Sequence, residues 1–558
     1  MKTNILIKSD RTTPVSVLKT NSELVVNQNI SVSTSGTAVI ATGTATDRDF
    51  YINGNLISAS DYAVKFGASG VADSDSIFVV AKTGKVSSTS GGGMQIMSGG
   101  LELANHGTIE AKLTTLLVTG ASTQIVNNGL TTSSAGTAIK ASGKMEVVIN
   151  NGTIKAAGDT VVLSGASANF TNNGETSSSK AGALVSSGSS ATLTNHGTLK
   201  STANTVVSSG TEAKITNDGL ISSTKGSAIL AKGTLAIVTN NKGTITALKD
   251  AVVLTGDAGT VTNNGSITSS AYGISVDADK AIVTNNNTIQ AAGGVTADGT
   301  DVSVNNTGTI TATKAGIAAI DFTGTATSTF ENSGLVESTG RAFLGGNGVQ
   351  KVINTGTIKG SVCLGGGDDF FNGSIGKVTG SVHGGKGNDT YVISSSSTKL
   401  VEKAGEGTDL VKSSASYTLR DNFENLALTA SGNSSATGNA LANQIHGNGG
   451  KNAIDGGAGN DTIWGHGGAD SLTGGSGSDT FVFAKGDGKD TITDFAATGS
   501  SHDILDLTGL SSITDFKDLV KNHMTQQDGY VYIDGLNGDS ITLKNVKLAH
   551  LHADDFLF

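Results

Sequence analysis

An Asn-x-Gly-x-aliphatic phrase recurs through the first two thirds of the chain and constrains the fold more than any other feature. The asparagines follow one another at nearly constant intervals, and an apolar residue usually stands two positions before each. An apolar-x-Asn alternation indicates a strand with one buried face, and the glycine lets the backbone turn before the next strand. A period of about 22 residues therefore predicts one coil of a right-handed parallel β-helix per repeat. The twelve asparagines are Asn105, Asn127, Asn150, Asn172, Asn195, Asn217, Asn241, Asn263, Asn285, Asn306, Asn332 and Asn354.

The repeated asparagine is expected to point inward and form a ladder along the coils. Each side-chain amide would hydrogen-bond its neighbours above and below and satisfy turn backbone that is otherwise buried without partners. The alternative is a surface row that binds a ligand, but the flanking aliphatic residues favour burial. Three threonines depart from the apolar pattern: Thr239 before Asn241, and Thr131 and Thr176 at the usual aliphatic position. Coils stacked about 4.8 Å apart would make a rod roughly 55 Å long.

Composition excludes several other classes of protein. The chain has 77 glycines but not one at every third position, and a single proline, which excludes collagen. One cysteine excludes a disulfide framework and a cysteine-based metal site. No apolar stretch approaches about 18 residues, so we expect no transmembrane helix. Lys8 and Asp10 interrupt the first apolar run, which argues against a cleaved N-terminal signal peptide.

Charge is concentrated in the last third of the chain. Residues 361–558 contain 24 acidic and 13 basic residues, whereas residues 1–360 contain 23 acidic and 24 basic ones. An acidic surface often serves solubility alone. Here the aspartates recur at fixed offsets among glycines, which favours a binding role for hard cations and no nucleic-acid partner.

The first repeat resembles the β-helical passenger domains of bacterial adhesins and autotransporters. The resemblance covers residues 35–360, and it implies a fold more firmly than an activity. Residues 1–34 are interpreted as an N-terminal arm or cap.

A second type of repeat begins near residue 357. The Gly-Ser-Val phrase that begins at 360 recurs at 380, and Asp369 and Asp389 show the same separation. Four nonapeptides then run without a break through residues 447–482, after a weaker forerunner at 438–446. Their sixth residues are Asn443, Asn452, Asp461, Asp470 and Asp479, and every eighth residue is apolar.

This spacing predicts calcium sites. A Gly-Gly-x-Gly turn directs carbonyl groups to one point, and the aspartate adds a charged oxygen. Ca²⁺ takes about six to eight oxygen ligands in flexible geometry, whereas softer metals prefer nitrogen or sulfur. A glycine-rich surface loop is the alternative, but four units with the apolar residue in phase argue against it. The predicted calcium-binding residues are Asp368, Asp369, Asp389, Asn452, Asp461, Asp470, Asp479 and Asp490, with the turn glycines Gly365, Gly367, Gly385, Gly387, Gly457, Gly459, Gly475 and Gly477.

The nonapeptides resemble those of the RTX, or haemolysin-type, calcium-binding family. The resemblance implies a parallel β-roll with two nonapeptides per turn, in which Asp461 and Asp479 share one edge and Asn452 and Asp470 share the other. Asparagine at position six would weaken the early sites. Residues 490–495 and the chain's last residues are similar to the C-terminal region of type I secreted proteins, which implies export through a type I exporter.

The predicted fold class is therefore all-β. A parallel β-helix is followed by a calcium-binding β-roll and a small mixed C-terminal region. The expected divisions are an arm or cap at 1–34, β-helix coils at 35–360, calcium-binding coils at 361–392, a spacer without assigned chemistry at 393–437, the RTX β-roll at 438–493 and a secretion-signal region at 494–558.

The function that these features favour is a secreted structural protein of the bacterial cell exterior. Such a subunit of a surface layer, sheath or matrix would fold on meeting extracellular calcium and self-assemble. An adhesin that binds a cell-surface polysaccharide or another surface is the second interpretation. A polysaccharide lyase or epimerase is the third, but it needs a walled cleft, and the uniform coil lengths leave little chain for walls. We therefore assign no catalytic residues.

Overall fold

The chain is described by a computed structural model that covers residues 2–71, 76–499, 501–536 and 538–558. It consists of two units, Met1–Asp321 and Phe322–Phe558. Both are built of short parallel strands wound into coils, which confirms the predicted parallel β-helix. None of the helices in the described ranges is long and apolar enough to cross a membrane.

A typical coil of the first unit contains three strands, such as Glu102–Asn105, Thr108–Ala111 and Leu116–Val118. Each strand pairs in parallel with the equivalent strand one coil further along. The pairing places Leu103 opposite Ile125, so that apolar side chains stack in columns inside the coil. This stacking turns the sequence period into a continuous core.

The strands of the first unit form three columns. The strands that end at or near the repeated asparagine are Thr3–Ile7, Ser22–Val26, Arg48–Ile52, Ile77–Val80, Glu102–Asn105, Gln124–Asn127, Val147–Asn150, Asn169–Asn172, Thr192–Asn195, Lys214–Asn217, Ile237–Asn240, Thr260–Asn263, Ile282–Asn285 and Val302–Asn306. The strands that follow this turn are Ser31–Thr34, Asn55–Ser58, Lys85–Ser88, Thr108–Ala111, Leu130–Ser133, Thr153–Ala156, Glu175–Ser178, Thr198–Ser201, Leu220–Ser223, Thr244–Ala247, Ser266–Val276, Thr288–Ala297 and Thr309–Ala312. The third column contains Val15–Ser16, Val39–Ala41, Val64–Phe66, Met94–Ile96, Leu116–Val118, Ile139–Ala141, Val161–Leu163, Leu184–Ser186, Val206–Ser208, Ile229–Ala231, Val252–Leu254 and Ile320–Asp321, and it is continued by the second halves of the two long strands.

The asparagine ladder is present and lies inside the coils. From Asn105 to Asn306, each asparagine Nδ2 donates to the Oδ1 of the next at 2.7–2.8 Å, through ten successive coils. The side chains are at most 2% exposed. The ladder therefore has a structural role, as the alternation of apolar residues predicts.

One member of the ladder differs from the sequence prediction. Asn240, not Asn241, accepts from Asn217 and donates to Asn263, both at 2.8 Å. The turn after Asn240 contains one extra residue, so that glycine follows at position 243 rather than 242. Consequently Val238, not Thr239, occupies the buried position two residues before the ladder asparagine. This coil therefore has an apolar residue at that position, like the other coils, and Thr239 is no exception to the pattern.

The two remaining threonine exceptions take part in the ladder. Thr131 donates its hydroxyl to the Oδ1 of Asn127 at 3.0 Å and accepts from Asn105 Nδ2 at 3.3 Å. Thr176 makes the equivalent bonds with Asn172 and Asn150 at 3.0 and 3.2 Å. A buried hydroxyl is tolerated at an aliphatic position here because the ladder satisfies it.

The second unit has the same kind of winding, and most of its coils are shorter than those of the first unit. One column contains Thr327–Asn332, Val349–Asn354, Phe370–Asn372, Thr390–Ile393, Leu410–Ser413, Asn425–Leu428, Gln444–His446, Thr462–Trp464, Thr480–Ala484, Ile504–Gly509 and Phe556–Leu557. A second contains Leu335–Leu344, Thr357–Gly366, Lys377–Val378, Ser381–Lys386 and Lys399–Val401. A third contains Tyr417–Thr418, Ser434–Thr437, Asn452–Ala458, Ser471–Ser476, Lys489–Ile492, Asp539–Leu543, Tyr530–Leu536 and Met524–Gln527, whose last two pairings are antiparallel.

Residues 393–437 are not a plain spacer between repeats. Leu410–Ser413 pairs in parallel with Thr390–Ile393 on one side and with Asn425–Leu428 on the other. The coils therefore run through this segment, although it lacks the nonapeptide pattern. Its strands bury Val411 and Leu426, which take the apolar positions of the neighbouring coils.

The C-terminal region is mixed, as predicted. It contains an α-helical turn at Phe516–Asp518, a π-helical segment at Leu519–His523 and 3-10 turns at Leu548–His550 and Ala553–Asp555. The strands Tyr530–Leu536 and Asp539–Leu543 pair in antiparallel fashion, and Asn537 lies outside the described residues.

Candidate calcium sites

The aspartates of the second unit form a column at one edge of the coils. Each member stands immediately before a strand, and most donate their backbone N–H to a side-chain oxygen one coil further on, at 2.7–2.9 Å. The column consists of Asp369, Asp389, Asp409, Glu424, Asn443, Asp461, Asp479 and Asp503.

A second, shorter column occupies the other edge of the β-roll. The Asn452 N–H donates to Asp470 Oδ1 at 2.7 Å, and the Asp470 N–H donates to Asp490 Oδ1 at 2.8 Å. Because Asp461 and Asp479 belong to the first column, the two edges are divided as the resemblance implies. Consecutive nonapeptides alternate between edges, and two of them complete one turn.

Five of these carboxylates have an oxygen that needs a partner. One oxygen of each accepts a backbone N–H, which comes from the column residue one coil earlier or, for Asp369, from Gln350 at 2.6 Å. The other oxygen, Oδ2, is buried and accepts no hydrogen bond from any described residue. A buried charged oxygen without a partner is costly unless a cation lies beside it. The donor set is made of hard oxygens and therefore fits Ca²⁺. The five residues are Asp369, Asp389, Asp461, Asp470 and Asp479.

The predicted turn glycines have the left-handed backbone conformation expected of tight turns whose carbonyl groups point toward a bound ion. All eight have positive φ, between +96° and +141°. A Cβ atom on Gly477 would lie 1.9 Å from the carbonyl oxygen of Gly459, and one on Gly385 would lie 2.0 Å from that of Gly365. Stacked turns approach this closely only because these positions lack side chains.

Asn452 and Asn443 differ from the aspartates in one respect. Asn452 Nδ2 donates to the Ser434 carbonyl at 3.2 Å, and Asn443 Nδ2 donates to the Phe423 carbonyl at 2.9 Å. In both asparagines the side-chain NH₂ group donates to a backbone carbonyl, whereas the corresponding oxygen of Asp461, Asp470 and Asp479 has no hydrogen-bond partner among the described residues. This supports the expectation that the early sites are weak.

Of the two remaining predicted ligands, Asp490 belongs to a column and Asp368 does not. Asp490 ends the second column and is 2% exposed. Asp368 is exposed, and its Oδ1 accepts the Asn388 N–H at 2.7 Å, so it bridges two turns rather than pointing into the column.

Three column members were not predicted from the sequence. Asp409 follows Asp389 at the same interval that separates Asp389 from Asp369, and this spacing was a usable signal. Glu424 and Asp503 have no such signal, because the chain between coils changes length before each of them. Asp503 accepts N–H bonds from Asp479 at 2.9 Å and Ala496 at 2.8 Å.

Burial raises the pKa of these carboxyl groups well above the ordinary aspartate value. The pKa of Asp461 is raised to about 7, that of Asp470 to about 6 and that of Asp369 to about 8, in each case chiefly because burial disfavours the charged form. Hydrogen bonds from backbone N–H groups oppose the shift without cancelling it. A bound cation would reverse the balance by stabilising the carboxylates.

We therefore predict that pH acts in opposite directions with and without calcium. Between pH 4 and 7 the folded calcium-free protein binds more protons than the unfolded chain, because the folded pKa values of Asp461 and Asp470 are about 7 and 6. Its unfolding free energy should fall as pH rises through this window. Calcium affinity should rise over the same window, since the ligands must lose protons to bind. Circular dichroism of the calcium-free protein and calcium titration, each at pH 5 and pH 8, test the two trends. Without calcium the second unit should retain more strand structure at pH 5 than at pH 8, whereas calcium should bind more tightly at pH 8; two trends in the same direction would contradict the prediction.

Replacing Asn452 by aspartate should strengthen an early calcium site. The Asn452→Asp side chain would retain the acceptor oxygen but lose the amide that donates to Ser434, leaving a buried carboxylate oxygen like that of Asp470. We expect one additional Ca²⁺ per chain, or an affinity at least tenfold higher at this edge. Calorimetric titration measures both quantities. Asn460→Asp, at an exposed position of the neighbouring turn, is the control and should change neither.

A groove lies on another face of the second unit. It has a volume of about 1100 Å³ and is lined by Arg341, Lys359, Lys386 and Lys403, with half-buried Cys363 among them. The uniform coil lengths had predicted that no cleft would be walled by long loops. The groove is open and is lined by residues of the coils themselves. It exists because glycines from successive coils form its floor and leave space where side chains would stand.

Comparison with known proteins identifies the repeat. The family model for the RTX calcium-binding nonapeptide repeat matches residues 432–481 in four copies. These repeats bind Ca²⁺, and RTX repeat proteins are secreted. The match includes Asn443, Asn452, Asp461, Asp470 and Asp479 of the two columns.

Two further similarities cover only parts of the chain. Endo-1,3-1,4-beta-glycanase ExsH of Rhizobium meliloti (strain 1021) is 43% identical over 173 residues, which are 31% of this chain and 34% of that protein. The chain thus spans about a third of the length of this curated relative. The crystal structure of the extracellular lipase LipA from Serratia marcescens matches 42% of this chain and 40% of its own, at 17% identity and a TM-score of 0.17.

Proposed function

We propose that this RTX repeat protein is a secreted, calcium-dependent structural protein of the bacterial cell exterior. It would serve as a subunit of a surface layer, sheath or matrix. The observation that carries this proposal is the asparagine ladder, which holds ten successive coils in one register with neutral, buried hydrogen bonds. A column of this kind makes a rigid element whose length depends on the number of coils.

Calcium would couple export to folding. In a calcium-poor cytosol the acidic columns repel and the second unit stays unfolded, which suits passage through a type I exporter. Outside the cell, calcium at about 10⁻³ M fills sites of extracellular affinity, and the binding free energy becomes folding free energy. The carboxylate oxygens of Asp461, Asp470 and Asp479 without hydrogen-bond partners among the described residues support this step.

Self-association would follow folding, with a second copy of this chain as the main partner. Electron microscopy of the purified protein in calcium tests the proposal, and we expect ordered sheets or filaments. The matched control is the same protein in chelator, which should show none. Dispersed particles in calcium, at concentrations where the protein is fully folded, would overturn the structural role.

A second candidate function is adhesion to an acidic polysaccharide, and the groove favours it. The surrounding half of the chain is strongly acidic, yet four basic side chains converge on this surface. Lys359 and Lys403 are partly neutralised by Glu337 at 3.4 Å and Glu406 at 3.0 Å. Arg341 is then the group best placed for carboxylates or sulfates of a glycan.

Binding to an array of acidic and neutral glycans tests the adhesive role. The double variant Arg341→Ala, Lys386→Ala should lose binding to acidic glycans, whereas Lys351→Ala, Lys451→Ala removes two exposed lysines outside the groove and should retain it. Because one relative bears a glycanase name, the same glycans should also be assayed for new reducing ends. We expect none, since we propose a structural protein rather than an enzyme.

A further inference from the structure

Two histidine rings face each other on the surface of the β-roll, outside both carboxylate columns. His446 is the last residue of the strand Gln444–His446, and His466 lies in the turn after the strand Thr462–Trp464, which is one coil further on. The nitrogens that face each other, His446 Nδ1 and His466 Nε2, are 3.2 Å apart. Two successive coils are therefore joined here by side chains that the calcium sites do not use.

Trp464 holds the His446 ring in place. The strand pairing puts Trp464 directly beside His446, and their rings stack with centroids 4.1 Å apart and an angle of 10° between the planes. The His446 side chain is half-buried, and this burial together with the nearby His466 lowers its pKa below the ordinary histidine value. The ring is therefore neutral at pH 7 and has a lone pair that a metal ion can use.

His466 stands at a turn position that glycine occupies in the nonapeptides before and after it. The equivalent residues, Gly457 and Gly475, have φ of +99° and +96°, and His466 keeps a positive φ of +58°. A residue with a Cβ is disfavoured in this left-handed region compared with glycine. Backbone strain of this kind is typical of residues that bind a ligand, and here it brings an exposed imidazole to the ring of His446.

The spacing of the two nitrogens fits one metal ion. Zn²⁺ binds imidazole nitrogen at about 2.0–2.1 Å in tetrahedral geometry, which places two such ligands about 3.3–3.4 Å apart. The 3.2 Å between His446 Nδ1 and His466 Nε2 is close to this separation. Without an ion, the same distance is that of an N–H···N hydrogen bond, in which one ring donates to the other. A bound ion takes the place of that proton, which moves to the other nitrogen of the same ring.

We propose that His446 and His466 bind a divalent transition-metal ion of the Zn²⁺ class, separate from the calcium sites. Neutral imidazole suits Zn²⁺, Ni²⁺ and Cu²⁺, whereas Ca²⁺ takes oxygen ligands, so the two kinds of site select different ions. Two protein nitrogens leave the other coordination positions to water. The ion ties two successive coils of the β-roll together through a link that is independent of the carboxylates.

The chain's single tryptophan gives a direct readout of this site. Bound Ni²⁺ quenches indole fluorescence at short range, and Trp464 stacks on one of the two ligands. Ni²⁺ is titrated into the full chain, without a histidine tag and with calcium in excess so that the carboxylates hold Ca²⁺. We expect the fluorescence to fall to a plateau at one Ni²⁺ per chain, and Zn²⁺ added beforehand to prevent the fall. Fluorescence that does not change, or that falls in proportion to Ni²⁺ without a plateau, would contradict the site.

The variant His466→Gly separates metal binding from folding. It removes one ligand and restores the glycine found at this position in the neighbouring repeats, so the turn is retained. We expect the affinity for Ni²⁺ to be at least tenfold lower, in this variant and in His446→Gln, while the number of bound Ca²⁺ ions stays the same. The matched control is His196→Gln, which changes an exposed histidine paired with Asp218 at 3.0 Å in the first unit and should leave Ni²⁺ binding unaltered.

Unchanged Ni²⁺ affinity in His466→Gly would overturn the proposal, because the two rings would then share only a hydrogen bond. A loss of Ca²⁺ from the same variant would also contradict it, since the ring would then support a calcium site instead. The inference does not rest on the proposed structural role. Ni²⁺ binding is measured whether or not sheets or filaments form, so its failure is distinct from failure of the proposed function.

Discussion

Chelation of calcium is expected to unfold the aspartate-column coils of the second unit and to leave the ladder coils of the first unit folded. The columns leave five buried carboxylate oxygens with no hydrogen-bond partner in the described part of the chain, whereas the ladder joins neutral amides to each other. A site at a calcium concentration 100 times its Kd stabilises the fold by about 2.7 kcal/mol. Several such sites together reach the usual stability of a small domain, about 5–15 kcal/mol.

Hydrogen–deuterium exchange tests this expectation, because it measures the protection of individual backbone N–H groups in calcium and in chelator. In chelator the backbone N–H groups of Asp461 and Asp470, which donate to carboxylates of the next coil, should lose protection by several orders of magnitude. The N–H groups of the strands Gln124–Asn127 and Thr192–Asn195 should keep theirs. Magnesium in place of calcium is the control and should not restore protection, because it requires tighter geometry and retains its water. Equal protection of Asp461 in calcium and in chelator would contradict the calcium-dependent fold.

The winding of the chain could be predicted from the sequence because each coil repeats the same physical requirement. An apolar residue, an inward asparagine and a turn glycine recur with nearly constant spacing, and the structure stacks Leu103 on Ile125 as that spacing requires. The same holds for the nonapeptides, whose sixth residues divide between two edges. The sequence prediction chose Asn241 instead of Asn240 because the turn that follows contains one extra residue. Two adjacent asparagines fit the pattern, and only the strand pairing, which places Asn240 opposite Asn217, distinguishes them.

The parts that could not be predicted depend on contacts between chain segments without a shared pattern. Glu402 follows a strand that belongs to no repeat, so only the folded coil brings it to Asp389 and Asp409. The groove has a similar origin, because its depth comes from glycines aligned across coils rather than from an inserted loop. Local sequence patterns therefore predict which residues stack in columns. They do not predict the groove or the approach of Glu402 to the column, because both depend on how successive coils pack.

The largest effect expected from a single substitution in the first unit is that of Asn195→Ala. Asn195 accepts from Asn172 and donates to Asn217, both at 2.8 Å, and its amide also donates to the carbonyl of Leu220 at 3.1 Å. Truncation leaves buried polar groups on both neighbouring coils without this partner and opens a small cavity. We expect a loss of about 2–4 kcal/mol in unfolding free energy.

An exposed second row of asparagines provides the matched control for this substitution. Asn173 donates to Asn151 Oδ1 at 2.7 Å in the same register but faces solvent, so Asn173→Ala should cost less than about 0.5 kcal/mol, because water replaces the lost bond. Native-state hydrogen exchange across residues 169–220 measures both variants, and the loss for Asn195→Ala should be confined to the coils adjoining it, since coils of a solenoid contact only their neighbours. Similar costs for the two variants would mean that the buried ladder does not stabilise the coils. A loss spread evenly over the whole first unit would mean instead that its coils unfold as one body rather than one by one.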